Sequence, residues 1–232
     1  NYARAMSPIV LLVPAAGSAR RLIGHGTGSK EVIELAGQPV AAHLLQAAED
    51  AGIERALFVV RHGKSDIEAT LRARLGGPAL EFLSIASTRS VPETLRQGLG
   101  QLRADDEVAL GFPDVLFTPN DALTRLVQRY RTPPVPDILL GLFPTDRPDK
   151  ADMVQFDARG RVGAILVKPG PTDLRRTWLL AIWGPRFSRF LETWVDRGEG
   201  PGHRENQVSD VFNAAITEGL GIDTVDFPSG SH

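Results

Sequence analysis

The stretch IVLLVPAAG, residues 9–17, decides the fold. Residues 9–13 form an unbroken run of apolar, mostly branched side chains, which is typical of a strand buried on both faces of a sheet. Pro14, Ala15, Ala16 and Gly17 follow and predict a turn of small residues out of this strand. Strands buried on both faces occur mainly in parallel sheets covered by helices, so the chain begins as an α/β fold.

Strands and helices alternate after this start, with a long loop predicted between the first strand and about Gln38. The helices are recognised by apolar residues at helical spacing and the strands by short runs rich in β-branched residues. Alternation of this kind indicates a parallel sheet with crossover helices. We predict strands at 56–60, 80–85, 108–112 and 138–143, and helices from Pro39 to about Gly52, from Ser65 with a capping box to Glu68, from Ser90 to Leu102, and from Asn120 to Tyr130.

The pattern changes in the second half of the chain. Residues 153–156 and 162–167 flank a turn-forming tetrad, 157–160, so we predict a β-hairpin there instead of another strand and helix. A strand at 177–183, helices at 185–195 and from Val208, and a last strand at 222–227 follow. The prediction is one mixed, mainly parallel sheet flanked by helices, with the hairpin as an insertion, over residues 8–232. Residues 1–7 show no periodicity, and we expect a tag remnant or a disordered leader.

The composition narrows the functional classes. The chain has 232 residues, 26 Lys plus Arg and 28 Asp plus Glu, so its formal net charge is -2 and no overall basic field attracts nucleic acid or an anionic membrane. It contains no cysteine, which excludes disulfides, thiolate metal sites and a Cys nucleophile and favours a cytoplasmic location. No apolar run reaches the roughly 18 residues of a membrane span. The sequence leaves a homo-oligomer open.

Three segments carry candidate chemistry at the carboxyl ends of predicted strands, where open α/β sheets bind ligands. Residues 16–22, AGSARRL, combine small residues with two guanidinium groups, as expected of an anion-binding loop. Lys30 ends the glycine-containing loop that follows and suits a closing cation. Asp114 follows the 108–112 strand and offers the kind of oxygen ligand that Mg²⁺ prefers. We expect 14–30, 85–94 and 113–117 to meet at one crevice.

These motifs, in this order, resemble the sugar-1-phosphate nucleotidyltransferases, whose members include glucose-1-phosphate thymidylyltransferases and uridylyltransferases. The signature loop of that family matches Gly17 to Leu22, its Lys motif matches Ser29-Lys30, and its Asp after a strand matches Pro113-Asp114. Its Lys-Pro after the hairpin matches Lys168-Pro169, and its late helix start matches residues 205–210. The resemblance covers nearly the whole chain from Ile9.

The resemblance implies a Rossmann-like fold of the GT-A type and transfer of a nucleoside monophosphate from a triphosphate to a sugar 1-phosphate. It implies a nucleotide-binding half at 8–131, a sugar-phosphate-binding half at 132–232, and Mg²⁺ as the cofactor. The implied roles are catalysis by Arg21 and Lys30; nucleotide binding by Ala15, Ala16, Gly17, Ser18, Ala19, Pro92 and Thr94; sugar-phosphate binding by Lys168 and Glu205; and metal binding by Asp114.

The chain departs from this family pattern at three places. Val167 stands where an acidic residue normally helps hold the sugar, so the acceptor need not be glucose. The base-reading loop has become Ser90-Val91-Pro92-Glu93-Thr94, in which Glu93 is expected to form a capping box with Ser90. The segment implied to carry a second metal-binding Asp would begin near Ser229, and we expect it beyond His232.

Two other functions stay open. One is a cytidylyltransferase that acts on a phosphorylated alcohol, whose opening motif is similar to residues 14–17, and the other is a nucleotide-binding homologue with impaired turnover. A Rossmann dehydrogenase is disfavoured because the glycine fingerprint after the first strand is incomplete.

Overall fold

The computed structural model describes residues 7–17, 29–74 and 76–232. Within these residues a nine-stranded sheet forms the centre of the molecule, and a separate two-stranded ladder lies in the loop after the first strand. The predicted strand order along the chain is confirmed, including the β-hairpin. The strands are β1 (Ile9–Ala15), β2 (Glu34–Leu35), β3 (Gln38–Pro39), β4 (Arg55–Arg61), β5 (Ala79–Ile85), β6 (Glu107–Leu110), β7 (Ile138–Pro144), β8 (Met153–Phe156), β9 (Val162–Leu166), β10 (Arg176–Trp183) and β11 (Ile222–Asp226).

The helices lie where the apolar periodicity predicts them, with ends that differ by a few residues. A short 3-10 turn, Lys30–Val32, precedes the first of them, inside the segment predicted to be a loop. The α-helices are α1 (Val40–Asp50), α2 (Ser65–Arg72), α3 (Val91–Leu99), α4 (Ala122–Arg131), α5 (Pro185–Asp196) and α6 (Val208–Thr217).

The main sheet has the order β11-β7-β10-β6-β1-β4-β5. Strands β6, β1, β4 and β5 pair in parallel, β11 pairs in parallel with β7, and β10 is antiparallel to both β6 and β7. The hairpin β8–β9 joins the sheet where Met153 of β8 pairs with Thr177 of β10. The predicted mixed, mainly parallel sheet with a hairpin insertion is therefore confirmed.

Two apolar layers cover this sheet. Alternate residues of β1 point to opposite faces: Leu11 packs with α1, α2 and α4, and Leu12 packs with α3, α5 and α6. Both leucines are completely buried. This burial on both faces explains the uninterrupted apolar run at the start of the chain. None of the helices in the described part of the chain is both long and apolar enough to cross a membrane.

Ser65 and Glu68 do not form the predicted capping box. Helix α2 begins at Ser65 itself, so Lys64 occupies the capping position and no side chain caps this end. Glu68 instead accepts a hydrogen bond from Arg72, one turn further along, at 2.8 Å. The prediction was wrong because the helix begins one residue earlier than the capping pattern indicates.

Ser90 caps α3, but the reciprocal half of its predicted capping box is missing. The Ser90 hydroxyl accepts a hydrogen bond from the backbone N–H of Glu93 at 3.4 Å. The Glu93 carboxylate accepts from the backbone N–H of Arg89 at 2.9 Å, and from the Arg89 side chain at 2.9 Å. The helix ends at Leu99, not at Leu102, and Gly100 lies at its end.

Gly98 lets α3 approach the sheet closely, and we predict that Gly98→Ala destabilises the protein. A Cβ atom there would lie 2.6 Å from Cδ1 of Leu12 and 2.9 Å from Cγ2 of Val59. Overpacking of a dense core costs about 1–3 kcal/mol, which exceeds the gain in helix propensity of about 1 kcal/mol. We therefore expect the free energy of unfolding, measured with urea, to fall by about 1 kcal/mol, the difference between the middle of the overpacking range and the gain in helix propensity.

Gly100→Ala is the matched control for this substitution. Gly100 has a helical φ of -62°. An added Cβ would lie no closer than 3.5 Å to another atom. Equal losses in the two variants would show that the close approach at Gly98 is not the cause.

Candidate active site

A central cleft of about 800 Å³ opens at the carboxyl ends of the parallel strands. The described parts of the three segments expected to meet, 14–30, 85–94 and 113–117, all contribute to its wall. Residues from the second half of the chain complete it. The cleft is lined by Pro14, Ala16, Gly17, Lys30, Glu31, Arg61, Ser87, Thr88, Arg89, Ser90, Val91, Thr94, Phe112, Asp114, Val115, Lys150, Ala151, Asp152, Lys168, Thr177, Trp178, Leu179, Glu205, Gln207, Val208 and His232.

Lys30 and Asp114 meet across this cleft. The Lys30 ammonium donates a hydrogen bond to Oδ2 of Asp114 at 2.5 Å, and each side chain is 35% exposed. Lys30 begins the 3-10 turn after the long loop, whereas Asp114 follows β6. The two residues are 84 positions apart in the chain. Both predicted residues therefore lie at one point of the cleft, with partly exposed charges that a ligand can reach.

A buried ion pair supports the turn that carries Lys30. The Lys64 ammonium donates to Oε1 of Glu31 at 3.0 Å and to the carbonyl oxygen of Ala15, at the end of β1, at 3.1 Å. The Lys64 and Glu31 side chains are only 7% and 1% exposed. Since Lys64 joins the end of β1 to the residue after Lys30, it holds Lys30 in place beside the cleft. No sequence pattern indicates this pair.

Ser29 provides a second anchor for the same turn. Its backbone N–H and its hydroxyl donate to the two carboxylate oxygens of Asp66, at 2.7 and 2.9 Å. Asp66 lies in the first turn of α2, where backbone N–H groups also favour a negative charge. Ser29 to Glu31 is thus tied to α2 through both Lys64 and Asp66.

Asp66→Asn is expected to weaken this anchor in a pH-dependent way. Burial raises the pKa of Asp66, but hydrogen bonds from Ser29 and from the backbone of the helix outweigh it, so the pKa lies below its usual value. A carboxyl group with a lower pKa in the folded state stabilises the protein above its unfolded pKa of about 3.9, and this contribution is lost as the pH falls through the folded value. The substitution should therefore lower the free energy of unfolding near pH 7, and the deficit should shrink toward about pH 2.

Urea unfolding of both proteins at the two pH values measures this difference. Glu68→Gln is a matched control, because Glu68 lies on the same helix and its carboxylate pairs with Arg72, away from Ser29. A deficit of the same size at both pH values would contradict a role for ionised Asp66.

Some of the residues predicted to bind the nucleotide lie together in the cleft, and others do not. Ala16 and Gly17 line the cleft, as does Thr94. The Thr94 hydroxyl donates to the carbonyl oxygen of Ser90 at 3.2 Å and contacts the Thr88 hydroxyl at 2.6 Å, so it is occupied within the protein. Ala15 and Pro92 are buried and do not line the cleft. Ser18, Ala19 and Arg21 lie outside the described residues.

Lys168 and Glu205, the residues predicted to bind the sugar phosphate, both line the cleft. Lys168 directly follows Val167 after the hairpin, is exposed, and has a positive φ of 43°. Residues other than glycine rarely adopt this left-handed conformation, and those that do are found disproportionately at functional sites. Among the described non-glycine residues, only Ala36 shares a positive φ.

Three residues of this second half form a hydrogen-bonded chain that the sequence did not reveal. Nε1 of Trp178 donates to the Ser209 hydroxyl at 2.9 Å, and Ser209 donates to Oδ2 of Asp152 at 2.6 Å. Trp178 packs against Phe112 and Phe212. It also lines the cleft, as Asp152 does.

Asp114 is the carboxylate of the cleft that was predicted to bind Mg²⁺. Within residues 7–17, 29–74 and 76–232, no group of three or more His, Asp or Glu side chains could hold a metal ion. Mg²⁺ is commonly held by one or two carboxylates, substrate phosphates and water. Asp114 fits this mode, provided that Lys30 moves from its carboxylate to the phosphates.

Comparison with known proteins relates the chain to one family. The profile of the MobA-like NTP transferase domain matches residues 11–176. Among curated proteins, the bifunctional protein GlmU of Cellvibrio japonicus is 26% identical over 221 residues, which cover 91% of this chain and 46% of that protein. The chain thus spans about half the length of the curated relatives it matches.

Solved structures share its fold at low sequence identity. A putative glucose-1-phosphate thymidylyltransferase from Bacillus anthracis has a TM-score of 0.81 at 12% identity, covering 94% of this chain and 87% of that one. A UDP-glucose pyrophosphorylase complexed with UDP-glucose has a TM-score of 0.80 at 15% identity, and the match covers 97% of this chain and 92% of that one. The inositol-1-phosphate CTP transferase from T. maritima has a TM-score of 0.75 at 16% identity, and the match covers 97% of this chain and 88% of that one. The predicted fold resemblance is confirmed.

Proposed function

Because the chain belongs to the MobA-like NTP transferase domain family, we propose that it transfers a nucleoside monophosphate from a nucleoside triphosphate to a sugar 1-phosphate. A phosphate oxygen of the acceptor attacks the α-phosphorus, the bond from that phosphorus to the bridging oxygen breaks, and pyrophosphate leaves. The products are pyrophosphate and a nucleoside diphosphate sugar.

The observation that carries this proposal is the meeting of Lys30 and Asp114 in the cleft. One is a cation suited to the charge on a triphosphate, and the other is a carboxylate suited to Mg²⁺. Their contact keeps both charges together until phosphates and Mg²⁺ separate them. When bound, Mg²⁺ would neutralise charge on the phosphates and help to align them for in-line displacement.

The charges of the cleft suit a reaction between two anions. Lys30, Arg61, Arg89, Lys150 and Lys168 all line it. These cations would offset the repulsion between triphosphate and acceptor phosphate and so bring them into contact. The acceptor phosphate is mostly ionised at neutral pH, since its second pKa is about 6, so the reaction needs no general base.

Each half of the chain has its own task in this proposal. Residues 8–131 would bind the triphosphate through the turn after β1, where Ala16 and Gly17 leave space for phosphate oxygens, and through Arg21. Residues 132–232 would bind the acceptor, with Lys168 on its phosphate and Glu205 near its hydroxyl groups.

Pyrophosphate release tests the proposal. It is measured with Mg²⁺ across a grid of the common nucleoside triphosphates and several sugar 1-phosphates, with CTP and phosphorylated alcohols as a further arm. Turnover that depends on a sugar 1-phosphate supports the proposal and identifies base and acceptor together. A Lys30→Ala variant should lose this turnover.

Two outcomes would contradict the proposal. Turnover only with CTP and a phosphorylated alcohol would favour a cytidylyltransferase. A triphosphate that raises the melting temperature without any turnover would favour a nucleotide-binding protein. Melting curves are therefore recorded for every triphosphate in the grid.

A further inference from the structure

Lysine is rare in this chain and is concentrated at the cleft. Of the 26 Lys plus Arg residues only four are lysines, namely Lys30, Lys64, Lys150 and Lys168. Three of them line the cleft, and Lys64 is buried behind it in contact with Glu31. Lys carries a compact charge on a flexible stem, whereas Arg presents a rigid planar fork, so the two are not interchangeable. Because every other position of this kind is Arg, the lysines mark the cleft as the place where a compact, mobile cation is used.

Lys150 is the one lysine of the cleft to which the proposed reaction gives no group of its own. Lys30 would meet the triphosphate and Lys168 the acceptor phosphate. The Lys150 side chain is exposed and lines the cleft. It forms no ion pair or hydrogen bond within residues 7–17, 29–74 and 76–232. Its charge is therefore available to a ligand.

The turn between β7 and β8 holds the backbone of Lys150 at the edge of the cleft. The backbone N–H of Lys150 donates to the carbonyl oxygen of Arg147 at 2.9 Å, and the backbone N–H of Arg147 donates to the Thr145 hydroxyl at 3.1 Å. Thr145 is buried, and its own N–H donates to the carbonyl oxygen of Arg175 at 3.1 Å, just before β10. The turn is thus tied to the sheet, while the flexible stem of Lys150 can adjust to a ligand.

Lys150 and Lys168 lie at the same end of the hairpin. Met153 of β8 pairs with Leu166 of β9, so the chain enters the hairpin soon after Lys150 and leaves it just before Lys168. The two stretches touch, because the backbone N–H of Lys168 hydrogen-bonds to the Asp152 carboxylate. Both lysines belong to residues 132–232, the half to which the proposed function assigns the acceptor.

The charges around the two lysines differ. Burial raises the pKa of Asp152, and the positive charge of Lys168 works against this, so Lys168 has an acidic neighbour. Neither Asp152 nor Glu205, the carboxylates of this half that line the cleft, forms an ion pair with Lys150. A cation without a partner at the wall of a cleft attracts anions. One phosphate held by Lys168 would leave the charge of Lys150 unmatched, and a second anionic group on the acceptor would match it.

On these observations we propose that Lys150 binds a second anionic group of the acceptor, so that the enzyme prefers a sugar 1-phosphate that also carries a carboxylate or another phosphate. The three N–H donors of an ammonium group suit the oxygens of either anion. The proposal rests on the proposed function, because it assumes that the reacting phosphate of the acceptor lies on Lys168. Lys150 then determines specificity and does not contact the reacting atoms.

The probes are three acceptors of similar shape and different charge. Glucose 1-phosphate carries one anionic group, glucuronic acid 1-phosphate adds a carboxylate, and glucose 1,6-bisphosphate adds a phosphate; each is used with its galacto and manno isomers. The wild-type protein should show a kcat/KM about 10-fold higher with a doubly anionic acceptor, as expected of one hydrogen bond between charged groups. Comparison of the carboxylate and the bisphosphate identifies which anion is preferred. The preference should shrink as salt is added, because exposed charges are screened.

Lys150→Gln removes the charge and should remove most of this preference. The loss of kcat/KM with doubly anionic acceptors should exceed the loss with glucose 1-phosphate by about 10-fold, and it should lie in the KM of the acceptor. Lys150→Arg keeps the charge and should keep much of the preference. Arg159→Gln is the matched control, because Arg159 is an exposed cation at the opposite end of the same hairpin and does not line the cleft. Melting temperatures show that each variant is folded.

The outcomes separate this proposal from the proposed function. Equal losses with all three acceptors in Lys150→Gln, or a loss in the KM of the triphosphate, would place Lys150 on the reacting phosphates and overturn its role in specificity. A wild-type protein that turns over the acceptors without preferring the doubly anionic ones would also overturn that role, and in both cases the proposed function would stand.

Binding of the acceptors, measured by calorimetry, covers the case in which none of them is turned over. Tighter binding of the doubly anionic probes that Lys150→Gln abolishes would support the second anion site, and the proposed function would then fail by itself. Neither turnover nor binding with any probe would overturn both.

Discussion

Asp114→Asn is expected to lower kcat by about 100-fold or more, because a metal ion supplies several kcal/mol of transition-state stabilisation and each 1.36 kcal/mol is a factor of ten. The amide keeps the shape of the side chain but removes the charge that would hold Mg²⁺. It also removes the ionic partner of Lys30. Pyrophosphate release should no longer respond to Mg²⁺ in the range where the wild-type protein does.

Asp105→Asn is the matched control for this variant. Asp105 is exposed and precedes β6, whereas Asp114 follows the same strand. The control should keep the wild-type turnover and metal titration. Asp114 is itself exposed, so its substitution should leave the melting temperature nearly unchanged. A wild-type metal titration in Asp114→Asn would remove Asp114 from the metal site.

Lys64→Met should produce the largest loss of stability among these variants. It leaves the buried Glu31 carboxylate without its cation, and Oε2 of that carboxylate already has no hydrogen-bond partner. Breaking a buried ion pair by removing one partner costs about 3–5 kcal/mol. Urea unfolding should show this loss, and turnover should fall further than the folded fraction, since the turn that carries Lys30 loses its connection to β1.

The double variant Lys64→Met with Glu31→Leu distinguishes the effect of the lost ion pair from the effects of losing each side chain. Replacing both charges with apolar side chains removes the unpaired charge, so the double variant should be more stable than Lys64→Met alone. Its turnover should remain low, because Lys30 is still without its anchor. A double variant as unstable as the sum of the two single variants would mean that Lys64 and Glu31 do not interact.

Local patterns were sufficient to predict most of the fold. The apolar run 9–13 and the helical stripes set the order of strands and helices. A strand buried on both faces is an uninterrupted apolar run, and a helix that buries one face repeats its apolar residues every 3.6 positions. The same reasoning predicted that 14–30, 85–94 and 113–117 would meet, since the ends of parallel strands share one edge. It missed the start of α2 and the end of α3 by one to three residues.

The candidate site could be predicted from the sequence only in part. Lys30 and Asp114 were predicted from their places after a loop and a strand. Lys168 and Glu205 were implied by the family resemblance, and all four residues line the cleft. Their catalytic and binding roles stay predictions. Thr94 was predicted to bind the nucleotide, but its hydroxyl contacts the hydroxyl of Thr88. No spacing rule indicates this contact.

The sequence by itself determined the class of fold, the order of its elements and the edge of the sheet where chemistry would lie, because each depends on neighbours within about one helix or strand. Only the tertiary structure decided which side chains meet there. Lys64 reaches Glu31 across 33 residues, and Ser209 reaches Asp152 across 57. Such pairs leave no periodic trace, since a hydrogen bond depends on distance in space and not on separation along the chain.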